Sequence, residues 1–362
     1  MKVNPWGSEL IQDYERLIKN FGLKQFSPLL LPNPNRLMRR NAVFAHQDLE
    51  VISNCIKNRK KYYALTGIMP TGNKIHFGNK MVVENLIYFQ EHNAKTYILV
   101  ADLEASATRN VSLEEAKKRA LDFHIPAYIA LGLNPKKTIF YFQSENKKVM
   151  HLIYDFSKKI TLNEFKAIYG IADPSRILSG LTQAADMLFP QLEEKIPGVI
   201  PVGLDQAPHL RMARDVINRT KSSYNFMPLA SIYNKFTPSL DGSTKMSKSS
   251  PNSLIELPEN AESACKKLRS AISGGRKTLE EHKKLGGIPE KDMVFEMLNL
   301  HLEEEDKKLQ KIYNDYKSGK LTTKELKDIG CEKLTIFLNN FSKKLEKAKK
   351  QISSLKFIEF NN

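Results

Sequence analysis

Apolar residues fall at helical spacing near the start of the chain, at Leu10, Tyr14, Leu17, Ile18 and Phe21 behind Ser8, and again at Leu49, Ile52 and Ile56. Each set predicts an amphipathic helix. Pro32 to Asn35 between them reads as a linker, so residues 1–60 are expected to form an N-terminal helical extension. From residue 61 to 255 the period changes. Short apolar runs at Tyr62–Thr66, Tyr97–Ala101, Thr138–Phe142 and Val199–Val202 alternate with helical stretches, the pattern of a doubly wound parallel sheet. The helix over 112–131 opens with a capping box, Ser112 to Glu115, and carries Pro126, which predicts a kink. Within residues 256–362 no convincing strand appears from Pro258 onward. Leu326, Ile329, Leu334, Phe337, Leu338, Phe341 and Leu345 mark long helices there, expected to form a separate all-helical domain.

Composition narrows the class. A chain of 362 residues with 41% hydrophobic positions can bury two sizeable cores. No run approaches the ~20 apolar residues of a membrane span, and Met1 to Leu10 lacks the apolar centre of a signal peptide, so a cytoplasmic protein is expected. Cys55, Cys265 and Cys331 are far apart and lack a Cys-x-x-Cys partner, which predicts neither a zinc site nor a disulfide framework. The 56 Lys and Arg against 40 Asp and Glu give a net charge of +16, which makes a polyanionic partner plausible. Any one Lys-rich cluster, such as Lys117-Lys118-Arg119, reads equally well as a solvated helix face.

Two segments carry the chemistry. Residues 66–79 read as strand, turn and helix: Gly67, Pro70, Thr71 and Gly72 break the strand, and a helix starts near Gly78 with Met81, Val82, Asn85, Leu86 and Phe89 at helical spacing. That arrangement puts glycine backbone and a helix N-terminus where an anion is favoured. It is neither G-x-G-x-x-G nor a Walker A sequence. The second segment, Lys245-Met246-Ser247-Lys248-Ser249, is bracketed by Gly242 and Pro251 in a loop of small residues free to close over a ligand.

Together, His76-Phe-Gly78-Asn79 and Lys245 to Ser249 resemble the two ATP-binding signatures of the class I aminoacyl-tRNA synthetases. Such an enzyme joins an amino-acid carboxylate to the α-phosphate of ATP. The carboxylate is already ionised near neutral pH and needs no general base. What the site must supply is positioning and cationic or donor groups around the triphosphate, here His76, Asn79, Lys245 and Lys248. The resemblance extends over nearly the whole chain to the tryptophanyl-tRNA synthetases of the archaeal and eukaryotic type. It is carried by Asn4-Pro5-Trp6, Met38-Arg39-Arg40, His46 to Leu49, Gly203-Leu204-Asp205-Gln206, Arg211 to Asp215, and Ser273-Gly274-Gly275-Arg276 through His282 to Gly287.

That resemblance implies tryptophan tRNA, L-tryptophan and ATP with Mg²⁺ as substrates, a homodimer, an anticodon-binding role for the helical domain, and no protein-held metal. It assigns ATP to Gly67, the turn Pro70–Gly72, His76, Gly78, Asn79, Gly203, Asp205 and the 245–249 loop. Glu104, Gln183 and Gln206 would hold the amino and carboxylate ends of tryptophan. Asp186 would face the indole, with Leu65 and Leu99 as an apolar slot. Two departures from the pattern stand out. Asn79 stands where the second signature histidine is usual, and Leu65 and Leu99 stand where eukaryotic members commonly place a Tyr and a Gln. Two other readings remain open: a tyrosyl enzyme of the same fold, against which Leu65 speaks, and a non-catalytic RNA-binding relative, against which the intact 245–249 loop speaks.

Overall fold

The computed structural model describes residues 14–170, 172–243, 246, 253–355 and 357–358. Its centre is a seven-stranded sheet built from β1 (Lys24–Gln25), β2 (Val43–Gln47), β3 (Tyr63–Ile68), β5 (Lys95–Val100), β6 (Thr138–Phe142), β7 (Gly198–Gly203) and β8 (Leu229–Asn234). A two-stranded ribbon pairs β4 (Ile75–His76) with β9 (Glu256–Leu257). The order across the large sheet is β1-β2-β8-β7-β3-β5-β6. From β8 to β6 all neighbours are parallel, while β1 and β2 add an antiparallel edge.

Alternation along the strands sends side chains to two separate cores. Tyr63, Leu65, Tyr97, Leu99 and Tyr141 face one layer, under the helices Lys147–Ser157, Leu162–Tyr169, Pro174–Leu188 and Ala207–Arg219. Ala64, Ile98, Val100, Phe140 and Phe142 face the other, under Leu49–Lys57, Phe77–Glu91 and Ile125–Ala130. The sheet is therefore wound on both faces, as the pattern predicts.

The segment before residue 60 departs from the expected pair of helices. Tyr14–Phe21 and Leu49–Lys57 are helical, but β2 joins the main sheet beside β8. Asn35 is a cap rather than part of a linker: its Oδ1 accepts from the Met38 amide at 3.0 Å and opens the short helix Arg36–Arg39. Asn4 to Trp6, Ser8 and Leu10 lie outside the described residues. The helix at 113–130 does not simply kink at Pro126. It widens into one π-turn, Ala120–His124, just before the proline, which absorbs the lost hydrogen bond.

After β9 the described chain is helical through the long helix Thr323–Lys349, behind its capping box Thr322 with Glu325, and a short turn Ile352–Ser354, after which Phe357 bridges to Phe140 of β6. This part shares a core with the sheet region: Leu334, Leu338, Phe341 and Leu345 pack in one cluster with Ile75, Phe77, Phe123 and Leu257. Arg40 ties the same two parts together, donating to the carbonyls of Asn299 and Glu303 at 2.7 Å each and pairing with Asp306. The glycines of the 273–287 stretch serve close packing. A Cβ on Gly274 would lie 2.0 Å from the Ile288 carbonyl oxygen, and one on Gly286 would lie 1.7 Å from that of Lys317.

Candidate active site

Parallel strands deliver residues at their carboxyl ends, and the chain reverses direction across the sheet between β3 and β7. At that switch point four adjacent strands, β7, β3, β5 and β6, end in Gly203, the turn after Ile68, the helix bearing Glu104, and Gln143. Among the described residues read from the sequence, Leu65, Gly67, Leu99, Glu104, Gly203, Asp205 and Gln206 lie on these strands or just beyond their carboxyl ends.

The first signature closes on itself. His76 is the N-cap of helix Phe77–Glu91: its Nδ1 accepts from the Gly78 amide at 3.1 Å, and Asn79 Oδ1 accepts from the His76 amide at 3.1 Å. The departure at Asn79 thus completes a capping box, a function suited to a side-chain oxygen. Because Nδ1 accepts, the neutral imidazole carries its proton on Nε2. Gly78 permits the close approach, since a Cβ there would meet His76 Cε1 at 2.8 Å. Gly203 is constrained likewise, with Asp205 Oδ1 2.7 Å from where its Cβ would be.

Of the second signature, Lys245, Ser247, Lys248 and Ser249 lie outside the described residues. Met246 is buried, and its amide donates to the Thr237 carbonyl at 2.8 Å, which pins the loop at one point. Just upstream Asp241 organises the turn at Gly242, accepting from Ser239 Oγ at 2.6 Å and from Ser243 N and Oγ at 3.0 and 2.7 Å. Those hydrogen bonds, led by Ser239, hold its carboxyl down at about 2.

Around Glu104 and Asp186 the geometry is buried and polar. Glu104 and Asp186 are both inaccessible to solvent, and one amide spans them: Gln143 Nε2 donates to Glu104 Oε1 at 2.9 Å and to Asp186 Oδ2 at 2.6 Å. Ser179 Oγ and Gln183 Nε2 donate to Glu104 Oε2 at 2.5 and 3.0 Å, and Tyr141 OH donates to Asp186 Oδ1 at 3.0 Å. Burial pushes both carboxyls above their usual range, Asp186 well above it, against the opposing pull of these donors. Leu65 and Leu99 are buried in the same core as Tyr141, Leu181 and Ala185. Gln206 sits on the short turn Leu204–Gln206 at the end of β7 and makes none of these contacts.

Gln143, Tyr141 and Ser179 were not singled out in the sequence. The available signal was position: Tyr141 and Gln143 follow two apart at the carboxyl end of a run read as a parallel strand, and Ser179 lies one helical turn before Gln183. Among the described residues no cluster of three or more His, Cys, Asp or Glu could hold a metal ion.

A doubly wound sheet with a capped signature helix and buried carboxylates at its switch point is the architecture of a class I aminoacyl-tRNA synthetase. The family model for tRNA synthetases class I (W and Y) matches residues 57–339, and the chain belongs to that family. It is 41% identical over 359 residues to the tryptophan–tRNA ligase of Methanocaldococcus jannaschii, covering 96% of each chain. It is 43% identical to that of Aeropyrum pernix, again over 96% of each. The crystal structure of the Aeropyrum pernix tryptophanyl-tRNA synthetase superposes with a TM-score of 0.90 at 41% identity, covering 99% of this chain and 100% of that one. A tryptophan-bound tryptophanyl-tRNA synthetase from Encephalitozoon cuniculi gives 0.84 at 25% identity, over 95% and 97%.

Proposed function

We propose that this chain is a tryptophan–tRNA ligase: it activates L-tryptophan with ATP and transfers it to the 3′ end of tryptophan tRNA, releasing pyrophosphate and AMP. The archaeal relatives at 41 and 43% identity support the reaction. The observation that carries the choice of amino acid is the buried pair Glu104 and Asp186, bonded into the layer whose apolar core holds Leu65 and Leu99, the residues read as the slot for the ring.

In this reading a carboxylate oxygen of tryptophan attacks the α-phosphorus, the bond to the β-phosphate oxygen breaks, and charge moves onto pyrophosphate. Lys245, Lys248, His76 and the backbone of the first signature stabilise that charge, and Asn79 keeps the signature helix and His76 in register. Gly203 and Asp205 face the ribose. Glu104 receives the α-ammonium together with Gln183, and Gln206 the carboxylate end. Asp186, fixed by Tyr141 and Gln143, offers its remaining lone pairs to the indole N–H. An apolar pocket alone separates similar rings poorly, whereas a buried acceptor penalises any ligand that leaves it unpaired. Magnesium enters with the triphosphate as the ATP complex. In the second step the terminal ribose hydroxyl of the tRNA attacks the acyl carbon and AMP leaves.

The helical part after residue 256 binds the anticodon region, with Lys and Arg contacts giving salt-dependent affinity and unpaired bases giving specificity. Several basic clusters are already engaged within the chain, among them Lys117 with Glu145, Lys267 with Glu259 and Arg269 with Asp328, so a subset of the charge is left for RNA. The setting is a cytoplasmic homodimer, as in the family the chain resembles. The test is amino-acid-dependent exchange of labelled pyrophosphate into ATP, run across all twenty amino acids. Tryptophan should drive it strongly and tyrosine weakly; no exchange with any amino acid would contradict the assignment.

A further inference from the structure

The π-turn Ala120–His124 does more than accommodate Pro126. Arg119, the residue before it, donates from Nη1 to the Thr71 carbonyl at 3.0 Å, and His124, its last residue, donates from Nε2 to the Gly72 carbonyl at 2.6 Å. Two consecutive carbonyls of the first signature are thus gripped from one side. In a trans planar peptide the N–H of the next residue points opposite to the carbonyl it shares a plane with. The N–H groups of Gly72 and Asn73 are therefore turned away from the π-turn, side by side, and no described residue accepts from either. Two adjacent amides aimed the same way form a concave anion site.

The grip is well supported. His124 is buried against Phe123, and Glu115 Oε1 accepts from Arg119 Nε at 2.8 Å and fixes the guanidinium. Phe123, Ala127 and Ala130 pack in the same core as Ile75 and Phe77 of the signature and Leu345 of the long C-terminal helix. A regular α-helical turn would rotate His124 away from Gly72, since each residue advances the helix by about 100°. The widened turn is what lets positions five apart reach neighbouring carbonyls.

We infer that Arg119 and His124 are positioning residues of the adenylation reaction: they hold the Thr71 and Gly72 carbonyls so that the Gly72 and Asn73 amides face the triphosphate of ATP. This rests on the reading that the first signature binds ATP. Neither side chain touches the nucleotide; both act through the backbone of the turn.

The test separates phosphate recognition from general damage. Binding of a non-hydrolysable ATP analogue and of adenosine is measured by calorimetry on the full chain, wild type against His124→Phe, His124→Gln and Arg119→Met. Loss of one aligned pair of amides should weaken the ATP analogue about tenfold in His124→Phe and several-fold in Arg119→Met, with adenosine binding and the tryptophan KM within about twofold of wild type. His124→Gln, which retains a donor, should recover much of the loss. Arg119 is partly exposed, so its variant keeps the test open if the buried His124→Phe fails to fold. Equal losses for adenosine and the ATP analogue, or no loss for either in a folded variant, would overturn the inference. A wild-type chain that bound adenosine and the ATP analogue equally would remove the phosphate-site reading and this inference with it.

Discussion

The two sides of the site are built from opposite materials. The side proposed for the nucleotide uses backbone: amides of the turn after β3, the start of a capped helix, and glycines at Gly78 and Gly203 where a Cβ would collide with His76 or Asp205. The side proposed for the amino acid uses buried side chains, with Glu104 and Asp186 held by Gln143, Tyr141, Ser179 and Gln183. The difference follows from what each must do. A triphosphate needs several donors and little discrimination. An indole must be told from a phenyl or phenol ring, and a desolvated acceptor penalises the wrong ligand far more than a solvated one does.

The largest break in this comparison comes from Asp186→Ala. It removes the acceptor for tryptophan and leaves Tyr141 OH and one Gln143 N–H unpaired in a dry site. We expect kcat/KM for tryptophan to fall by about 2–4 kcal/mol of transition-state binding, with the preference over phenylalanine eroded. Equal loss toward every aromatic substrate would make Asp186 structural. Lys248→Ala probes the other side. In the proposed mechanism Lys248 acts on the departing pyrophosphate, so single-turnover adenylate formation should slow roughly 10²-fold while tryptophan affinity stays near wild type. An unchanged rate would remove the loop from the chemistry.

The carboxyl pair also predicts a pH signature with opposite signs for stability and binding. Burial raises both groups, so between the ordinary carboxylate pKa near about 4 and the raised values the fold binds more protons than the unfolded chain. Their contribution to stability is full below that window and is lost as pH rises through it. Asp186→Asn should therefore gain stability relative to wild type at neutral pH, and the gain should shrink as pH falls towards about 4 in denaturant titrations. Tryptophan binding runs the other way, because the α-ammonium needs Glu104 ionised. Its affinity should drop as pH falls through the raised pKa, and Glu104→Gln should flatten that limb.

The smallest expected effect is at Asn79. Asn79→Ala loses a capping bond worth about 1 kcal/mol, read as a modest drop in Tm. Asn79→His should stay active in pyrophosphate exchange.

Legibility in the sequence follows the same division. The first signature was readable because its parts are contiguous: Gly67 to Asn79 spell turn and helix in one line, while the cap made by His76 and Asn79 emerges only in the fold. β3, β5, β6 and β7 were readable because both their faces are buried and they stand as apolar runs. β8 was missed although it too is buried throughout, because Ser231 and Asn234 interrupt the run. Their partners, Arg214 Nη2 at 2.6 Å and Asn85 Nδ2 at 2.7 Å, come from distant helices. β2 was missed because Val43 to Gln47 ends in polar residues and is paired with that hidden strand on one side and with the two-residue β1 on the other. Gln143 was invisible for the same reason: its two acceptors lie 39 and 43 residues away in sequence, and only the fold makes it a bridge. The π-turn left one trace, Pro126, which predicted a disturbance but not what the widened turn would hold.

In the proposed reading a buried carboxylate, Asp186, reads the indole N–H. The direct measurement compares kcat/KM in pyrophosphate exchange for tryptophan and for its benzothienyl isostere, which has sulfur in place of N–H, in wild type and in Asp186→Ala. Wild type should prefer tryptophan strongly and the variant should treat the two within a few-fold of each other. A wild-type enzyme indifferent to the N–H, or a variant that keeps the full preference, would contradict it.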